Sequence, residues 1–192
     1  AEARDVPVIE DAAHSLGTLW RGRKIGTIGR VGCFSFQSYK LVNAGEGGIP
    51  ITDDADLVAR AVIMSGAYEH NWAKHMDGPD EALDAAFARW QNRLPLYNLR
   101  LSNLSAAIIR PQLPEAPRRV QAGRANHDHV AGRLDSSPHL SVPAPLDGEV
   151  RAPDSIQFNL VGLSDAEARD FAENAAARGV KVQVFGQSTD NA

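Results

Sequence analysis

The chain has 192 residues, 43% of them hydrophobic and 23% charged, with a net charge of −4, which is enough for one domain of ordinary size or for one and a small second one. The acidic balance offers no electrostatic grip on a nucleic-acid backbone, and no apolar run is long enough to span a bilayer, so neither nucleic acid nor membrane is an expected partner. A lone cysteine, Cys33, excludes an internal disulfide framework, and no charged-then-apolar leader opens the chain, so the cytoplasm is the expected location.

The first residues, AEARDVPVIEDAAH, lack an initiating methionine and read as a helix tail running into a buried strand, which suggests a piece of a longer protein. VPVIED, residues 6–11, is a β-branched run closed by acids, and AAHSLG, residues 12–17, has helix formers ending in glycine, so a strand and then a helix are expected, with Asp11 at the junction. Open α/β sheets place ligands at such junctions. Residues 18–32, TLWRGRKIGTIGRVG, are punctuated by glycine and predict a turn-rich excursion before a strand over CFSFQ, residues 33–37. IPIT, residues 49–52, predicts another strand, and DDADLVARAVIMSG, residues 53–66, an amphipathic helix with an aspartate cap and a glycine stop.

Residues 67–96 carry Tyr68, His70, Trp72, His75 and Trp90 without a sustained period, which predicts a long loop with one helix at DEALDAAFARW, residues 80–90. LSNLSAAII, residues 101–109, resumes a helical pattern that Pro111, Pro114 and Pro117 should stop or kink. After it come a polar helix over residues 118–134, a proline-rich connection over 136–153, a strand at SIQFNLV (155–161), a capped helix at SDAEARDFAENAAARG (164–179) and a strand at VKVQVFG (180–186). This β-α-β tail predicts a separate small domain, and the whole predicts layered α/β architecture.

Lys40 stands between a strand-like run and the turn Gly45-Glu46-Gly47-Gly48, with Ser35 five residues upstream. A lysine in that position is most often a solvated surface residue; held in a pocket among small and polar groups, it can attack a carbonyl and form an imine. Asp11 reads either as a cap on the segment that follows or as a carboxylate in a crevice, where it would keep a nearby nitrogen protonated; the three-residue spacing puts His14 on its face. His70 with His75, and His127 with His129, have no carboxylate or cysteine at a recognisable zinc spacing, so no metal is expected. Ser38-x-Lys40 lacks an oxyanion motif, and GEGG precedes a strand rather than a helix, which argues against a nucleotide loop.

Three separated motifs, VIEDAAH, SFQSYK with GEGG, and NLRLS, resemble the DegT/StrS (DegT/DnrJ/StrS) family of fold-type I, pyridoxal-phosphate-dependent aminotransferases in their order along the chain. The resemblance runs from residue 7 to about residue 113 and more faintly through the tail. It implies part of a fold-type I large domain over residues 1–110, followed by a small α+β domain over 111–192. It also implies that Lys40 bonds pyridoxal phosphate covalently, that Asp11 pairs with its pyridinium nitrogen, that His14 lies near the ring, and that Ser35 contacts the phosphate. Asn98 matches an asparagine that reaches the phosphate in a neighbouring subunit, which implies a homodimer with shared sites. The implied reaction moves an amino group from an amino acid donor, glutamate or glutamine, to a keto-sugar or keto-cyclitol. The family's amino-terminal half, with its phosphate loop and ring-stacking aromatic side chain, has no counterpart here, so the fragment alone is expected to be inactive. The rival reading is a catalytically inactive relative that serves as a binding protein. Family members that dehydrate sugars replace the lysine, commonly with histidine, and Lys40 argues against that chemistry.

Overall fold

The structure, a computed structural model, describes residues 1–67, 73–74 and 80–185. Tyr68, His70, Trp72 and His75 of the expected loop lie outside the described residues. The chain divides into two compact units, one of residues 1–124 with 145–154, the other of residues 125–144 with 155–192.

In the first unit, β1 (Ile9–Asp11) pairs in parallel with β4 (Val31–Ser35), and β4 pairs antiparallel with β5 (Gly48–Ile51). Asp11 stands opposite Cys33, and Ser35 opposite Gly48. The carboxyl ends of the two parallel strands are therefore marked by Asp11 and Ser35. The expected helix over residues 12–17 is instead a pair of tight turns, closed by Ser15 N–H to Ala12 O at 3.0 Å and Thr18 N–H to Ser15 O at 2.9 Å. Six residues cannot repay helix nucleation, and Gly17 leaves the helical region at φ +92°. A side chain at Gly17 would meet Val120 Cγ2 at 2.6 Å.

The turn-rich excursion contains a hairpin that the sequence pattern did not resolve. Strands β2 (Leu19–Trp20) and β3 (Arg23–Lys24) are joined by Arg21 and Gly22. Both joining residues have positive φ, 48° and 78°, as a two-residue hairpin turn that matches the strand twist requires. The far edge of β2 is covered by β7 (Glu149–Val150), also antiparallel. The excursion then folds back hard onto the sheet, where a Cβ at Gly32 would collide with the Gly26 backbone and one at Gly26 with the Phe34 ring.

Helix α1 (Ala55–Met64) is capped by Asp54, whose carboxylate accepts from Leu57 N–H, and α2 (Glu81–Trp90) by Asp80, which accepts from Leu83 N–H. The two helices bury Ala59, Leu83, Ala86 and Phe87 against one another. The pair is tied by Asp56, which accepts from both the Arg89 guanidinium and Trp90 Nε1. Helix α3 (Asn103–Ile109) ends where the prolines begin; a 3-10 turn over Arg110–Gln112 follows, and α4 (Ala116–Leu134) starts after Pro114. A second buried cluster joins Phe36, Val42 and Ile109.

In the second unit, β6 (Leu140–Ser141) and β8 (Asn159–Leu160) form a two-stranded antiparallel pair. Helix α5 (Asp165–Ala177) opens on a full capping box between Ser164 and Glu167. The strand expected over residues 155–161 is thus reduced to two residues. The one expected over 180–186 is not formed as far as Phe185, because no neighbouring strand offers it a hydrogen-bond ladder among the described residues. No helix of the described residues is long and apolar enough to cross a membrane.

Candidate active site

Lys40 lies on the segment that links β4 to β5, and the segment is held from two sides. From within, Phe36 N–H donates to Gly47 O at 2.8 Å, Ser38 N–H to Gly45 O at 2.9 Å and Ala44 N–H to Phe36 O at 2.9 Å. The glycine turn therefore presents carbonyls to the segment rather than a cradle of amides. Ser38 Oγ also donates to Gly45 O, so this hydroxyl serves the turn. From without, Gln112 and Asn43 exchange a reciprocal pair of bonds: Gln112 Nε2 to Asn43 O at 2.7 Å, and Asn43 N–H to Gln112 Oε1 at 3.3 Å. Arg119 Nη1 donates to Leu41 O at 2.9 Å. Val42, fully buried between these anchors, adds about 1.5–3 kcal/mol of apolar burial. The backbone on either side of the amine is thus fixed before any ligand arrives.

The Lys40 side chain reaches the turn after β1, where its Nζ lies 2.5 Å from His14 Nε2. On the other side of that ring, Nδ1 is 3.4 Å from Asp154 Oδ2. Ser35, Lys40, His14 and Asp154 line one crevice, backed by Phe34 and Val42. Its volume is about 10 Å³, room for about one water and not for an aromatic ring. What the crevice supplies is the convergence of an amine, an imidazole, a hydroxyl and a carboxylate.

Asp11 does not line that crevice. Its carboxylate accepts from Ala13 N–H at 3.1 Å, and it borders a separate hollow of about 360 Å³ with Glu10, Ser15, Trp20, Ile25 and Glu149. Glu10 is satisfied within this wall, accepting Gly29 N–H at 2.6 Å, Ile28 N–H at 2.7 Å and Gly26 N–H at 2.8 Å. Burial works against its charge, but these three donors and the nearby Arg23 outweigh it and hold the carboxyl below its ordinary value. Glu149 is likewise held low, by the Arg151 guanidinium first and Leu146 N–H second. Asn98 belongs to neither lining. It is exposed, its Oδ1 faces Arg100 Nη2 at 3.4 Å, and Leu96, Tyr97, Leu99 and Leu104 around it are exposed as well.

The structure therefore brings His14, Ser35 and Lys40 together, sets Asp11 at the adjoining strand end, and leaves Asn98 on an open apolar surface. Among the described residues no group of three or more histidine, cysteine or acidic side chains is placed to hold a metal. Sequence reasoning missed Asp154, Gln112, Arg119 and the anchoring role of Glu10. The partners named above lie between 16 and 140 residues away, beyond any local pattern.

The chain belongs to the DegT/DnrJ/EryC1/StrS aminotransferase family, whose family model matches residues 1–189. It is similar to the L-glutamine:2-deoxy-scyllo-inosose aminotransferase of Micromonospora echinospora, 37% identical over 151 residues, which covers 74% of this chain and 34% of the relative. It is also similar to the 3-amino-5-hydroxybenzoate synthase of Amycolatopsis mediterranei, 27% identical over 180 residues, 91% of this chain and 42% of that protein. Among solved structures, it matches the E. coli GDP-4-keto-6-deoxy-D-mannose-3-dehydratase with bound hydrated PLP, with a TM-score of 0.74 and 24% identity over 94% of this chain and 46% of that one. The aminotransferase TlmJ from Streptoalloteichus hindustanus matches with a TM-score of 0.70, 24% identity, 95% of this chain and 46% of its own. The fold is that of part of a fold-type I transferase, and the chain spans less than half the length of each of these proteins.

Proposed function

We propose that this chain is the lysine-bearing part of a pyridoxal-phosphate-dependent aminotransferase that moves an amino group from glutamate or glutamine to a keto-sugar or keto-cyclitol. The observation that carries the reading is the meeting of Lys40 Nζ with His14, beside Ser35, at the carboxyl ends of two parallel strands, where open α/β sheets take their ligands.

The donor chemistry fits pyridoxal phosphate, with a primary amine for its aldehyde, an imidazole within reach and a hydroxyl for its phosphate, while the crevice as it stands is closed by the contact of Lys40 with His14, so the ring would enter only with Lys40 Nζ drawn away from His14. When bound, the cofactor supplies the electron sink for breaking a bond at the substrate carbon. Lys40 would hold the cofactor through Nζ, and the same amine would be the group that moves a proton at the donor's α-carbon. Asp11 is the proposed carboxylate for the ring nitrogen, Ser35 the hydroxyl that steadies the phosphate, and His14 the side chain beside the ring. The proposed assembly is a homodimer in which Asn98 reaches the partner's site. The exposed apolar surface around Asn98, with Leu99 at 72% and Leu104 at 73% exposure, supports a second copy of the chain as its cover. The lone Cys33 suits a reducing compartment, and the cytoplasm is the proposed location.

The test is borohydride reduction of the full-length protein in the presence of pyridoxal phosphate, followed by peptide mass mapping. Label is expected on the Lys40 peptide in preference to Lys24, Lys74 and Lys181, the other lysines of the chain. Label spread evenly over the four, or none at all, overturns the reading in favour of a non-catalytic binding protein.

A further inference from the structure

Residues 36–47, which carry Lys40, belong to neither helix nor strand, so the lysine is aimed by individual bonds rather than by a regular ladder. Both polar backbone groups of Lys40 are bonded: its N–H donates to Gln37 O at 2.9 Å, and its carbonyl accepts from Asn43 Nδ2 at 3.0 Å. Asn43 is itself gripped from outside the segment. Its N–H and its carbonyl both bond the Gln112 side chain, which completes its own set with Arg119 Nη1 at 3.2 Å and Ile108 O at 2.9 Å. A side-chain amide offers two donors and an oxygen with two lone pairs, and Gln112 uses all four. Its orientation is fixed by its neighbours, since Nε2 faces two carbonyls and Oε1 faces two donors. The Asn43 amide is fixed in the same way, because Oδ1 in place of Nδ2 would set two acceptors together at Lys40 O. The bonds therefore run in series, from α3 and α4 to Gln112, on to the Asn43 backbone, and through the Asn43 side chain to Lys40 O.

A fixed root matters because the amine has to move. The crevice admits a ring only when Lys40 Nζ leaves His14, so the four-carbon stem swings while its Cα holds still. Were the root free as well, an incoming aldehyde would have to order the backbone in addition to the side chain, and capture would weaken by that extra entropy. We propose that Asn43 is the positioning residue that makes Lys40 a pivot: its side chain pins the Lys40 carbonyl, Gln112 pins Asn43, and only side-chain torsions change as the amine turns from His14 toward an aldehyde. All the groups involved lie in the same compact unit. The inference rests on the reading of Lys40 as the lysine that takes up the cofactor, and it adds to that reading a residue that acts through the lysine's backbone.

The test titrates pyridoxal phosphate into the full-length protein, fixes the adducts with borohydride, and reads label by peptide mass on Lys40 and on Lys24, an exposed control. Asn43→Ala should raise the concentration that half-labels Lys40 about fivefold, the size of one lost neutral hydrogen bond, and leave the Lys24 half-point unchanged. Gln112→Met should raise it as well. Because the two residues act in series, the double substitution should go no further than the larger single change, a non-additivity that independent contacts do not show. A merely structural role would lower the urea midpoint and leave the Lys40 half-point where it was. That result, or a double effect equal to the product of the single ones, overturns the proposal. Should Gln112→Met fail to fold, Asn43→Ala decides alone by the same half-point. A natural protein whose Lys40 takes no label overturns the proposed function together with this inference, whereas label on Lys40 with an unmoved half-point overturns the pivot alone, so the two failures are distinct.

Discussion

Replacing Glu10 with glutamine tests how the excursion between β1 and β4 is held. One Glu10 oxygen accepts from Ile28 and Gly29, the other from Gly26. Glutamine keeps one acceptor oxygen and turns an amide NH2 toward the remaining donor, so one bond is lost outright and the other two lose their charge. Hydrogen bonds to charged groups contribute about 1.5–3 kcal/mol each, and water reaches this half-buried site, so the expected loss is about 2–3 kcal/mol. The sign of the pH dependence follows from the carboxyl being held below its ordinary value of 4.5. A depressed folded-state value means that the stabilisation is fully present above the unfolded value and fades as pH falls below it. Natural chain and Glu10→Gln should therefore differ most near neutrality and converge in acid below pH 4.5. Urea titration should give a lower midpoint at unchanged slope, together with faster amide exchange at Gly26, Ile28 and Gly29. An unchanged midpoint at neutral pH, with those amides still protected, would refute the carboxylate anchor.

Two further outcomes are expected. Arg119→Ala removes the bonds to Leu41 O and Gln112 Oε1, and the loss of about 1.4 kcal/mol should speed amide exchange across residues 40–44 roughly tenfold, while exchange in α5 stays unchanged; equal exchange in both proteins would show that the Lys40 segment is held by other means. Leu99→Asp places a charge on the surface proposed to meet a second copy, so sedimentation equilibrium should show a shift toward monomer with an unaltered urea midpoint, and an unshifted mass would exclude that surface.

Much of the scaffold was legible in the sequence because its signals are local. Asp54, Asp80 and Ser164 each sit where a cap is expected, and each accepts from the amide three residues on. The β-branched run before Asp11 and the aromatic run before Lys40 became the parallel pair, and Lys40, His14 and Ser35, read from motif resemblance, share one crevice. The turns over residues 12–17 were not legible, since AAHSLG has helix-forming composition but too little length to propagate. Nor was the Arg21-Gly22 hairpin, because arginine is an unusual residue at positive φ and carries no turn signature of its own. Asp154, directly after Pro153 at the end of a stretch that reads as connection, acquires a role only through the distant ring it faces.

The prolines after α3 show why a break in local pattern carries structural meaning. A continuous helix through Gln112 would spend the Ile108 carbonyl on the backbone N–H of Gln112. With Pro111 in the 3-10 turn, the Gln112 side chain takes over, donating to Ile108 O at 2.9 Å and to Asn43 O at 2.7 Å. The amide group that repairs the helix end is the same one that grips the backbone three residues beyond Lys40, and Arg119, in the first turns of α4, donates both to that amide's oxygen and to Leu41 O. Straightening the junction would satisfy helix geometry and release the lysine segment. The irregularity that stands out in the sequence as a departure from a long helix therefore becomes the support on which the position of the Lys40 amine depends.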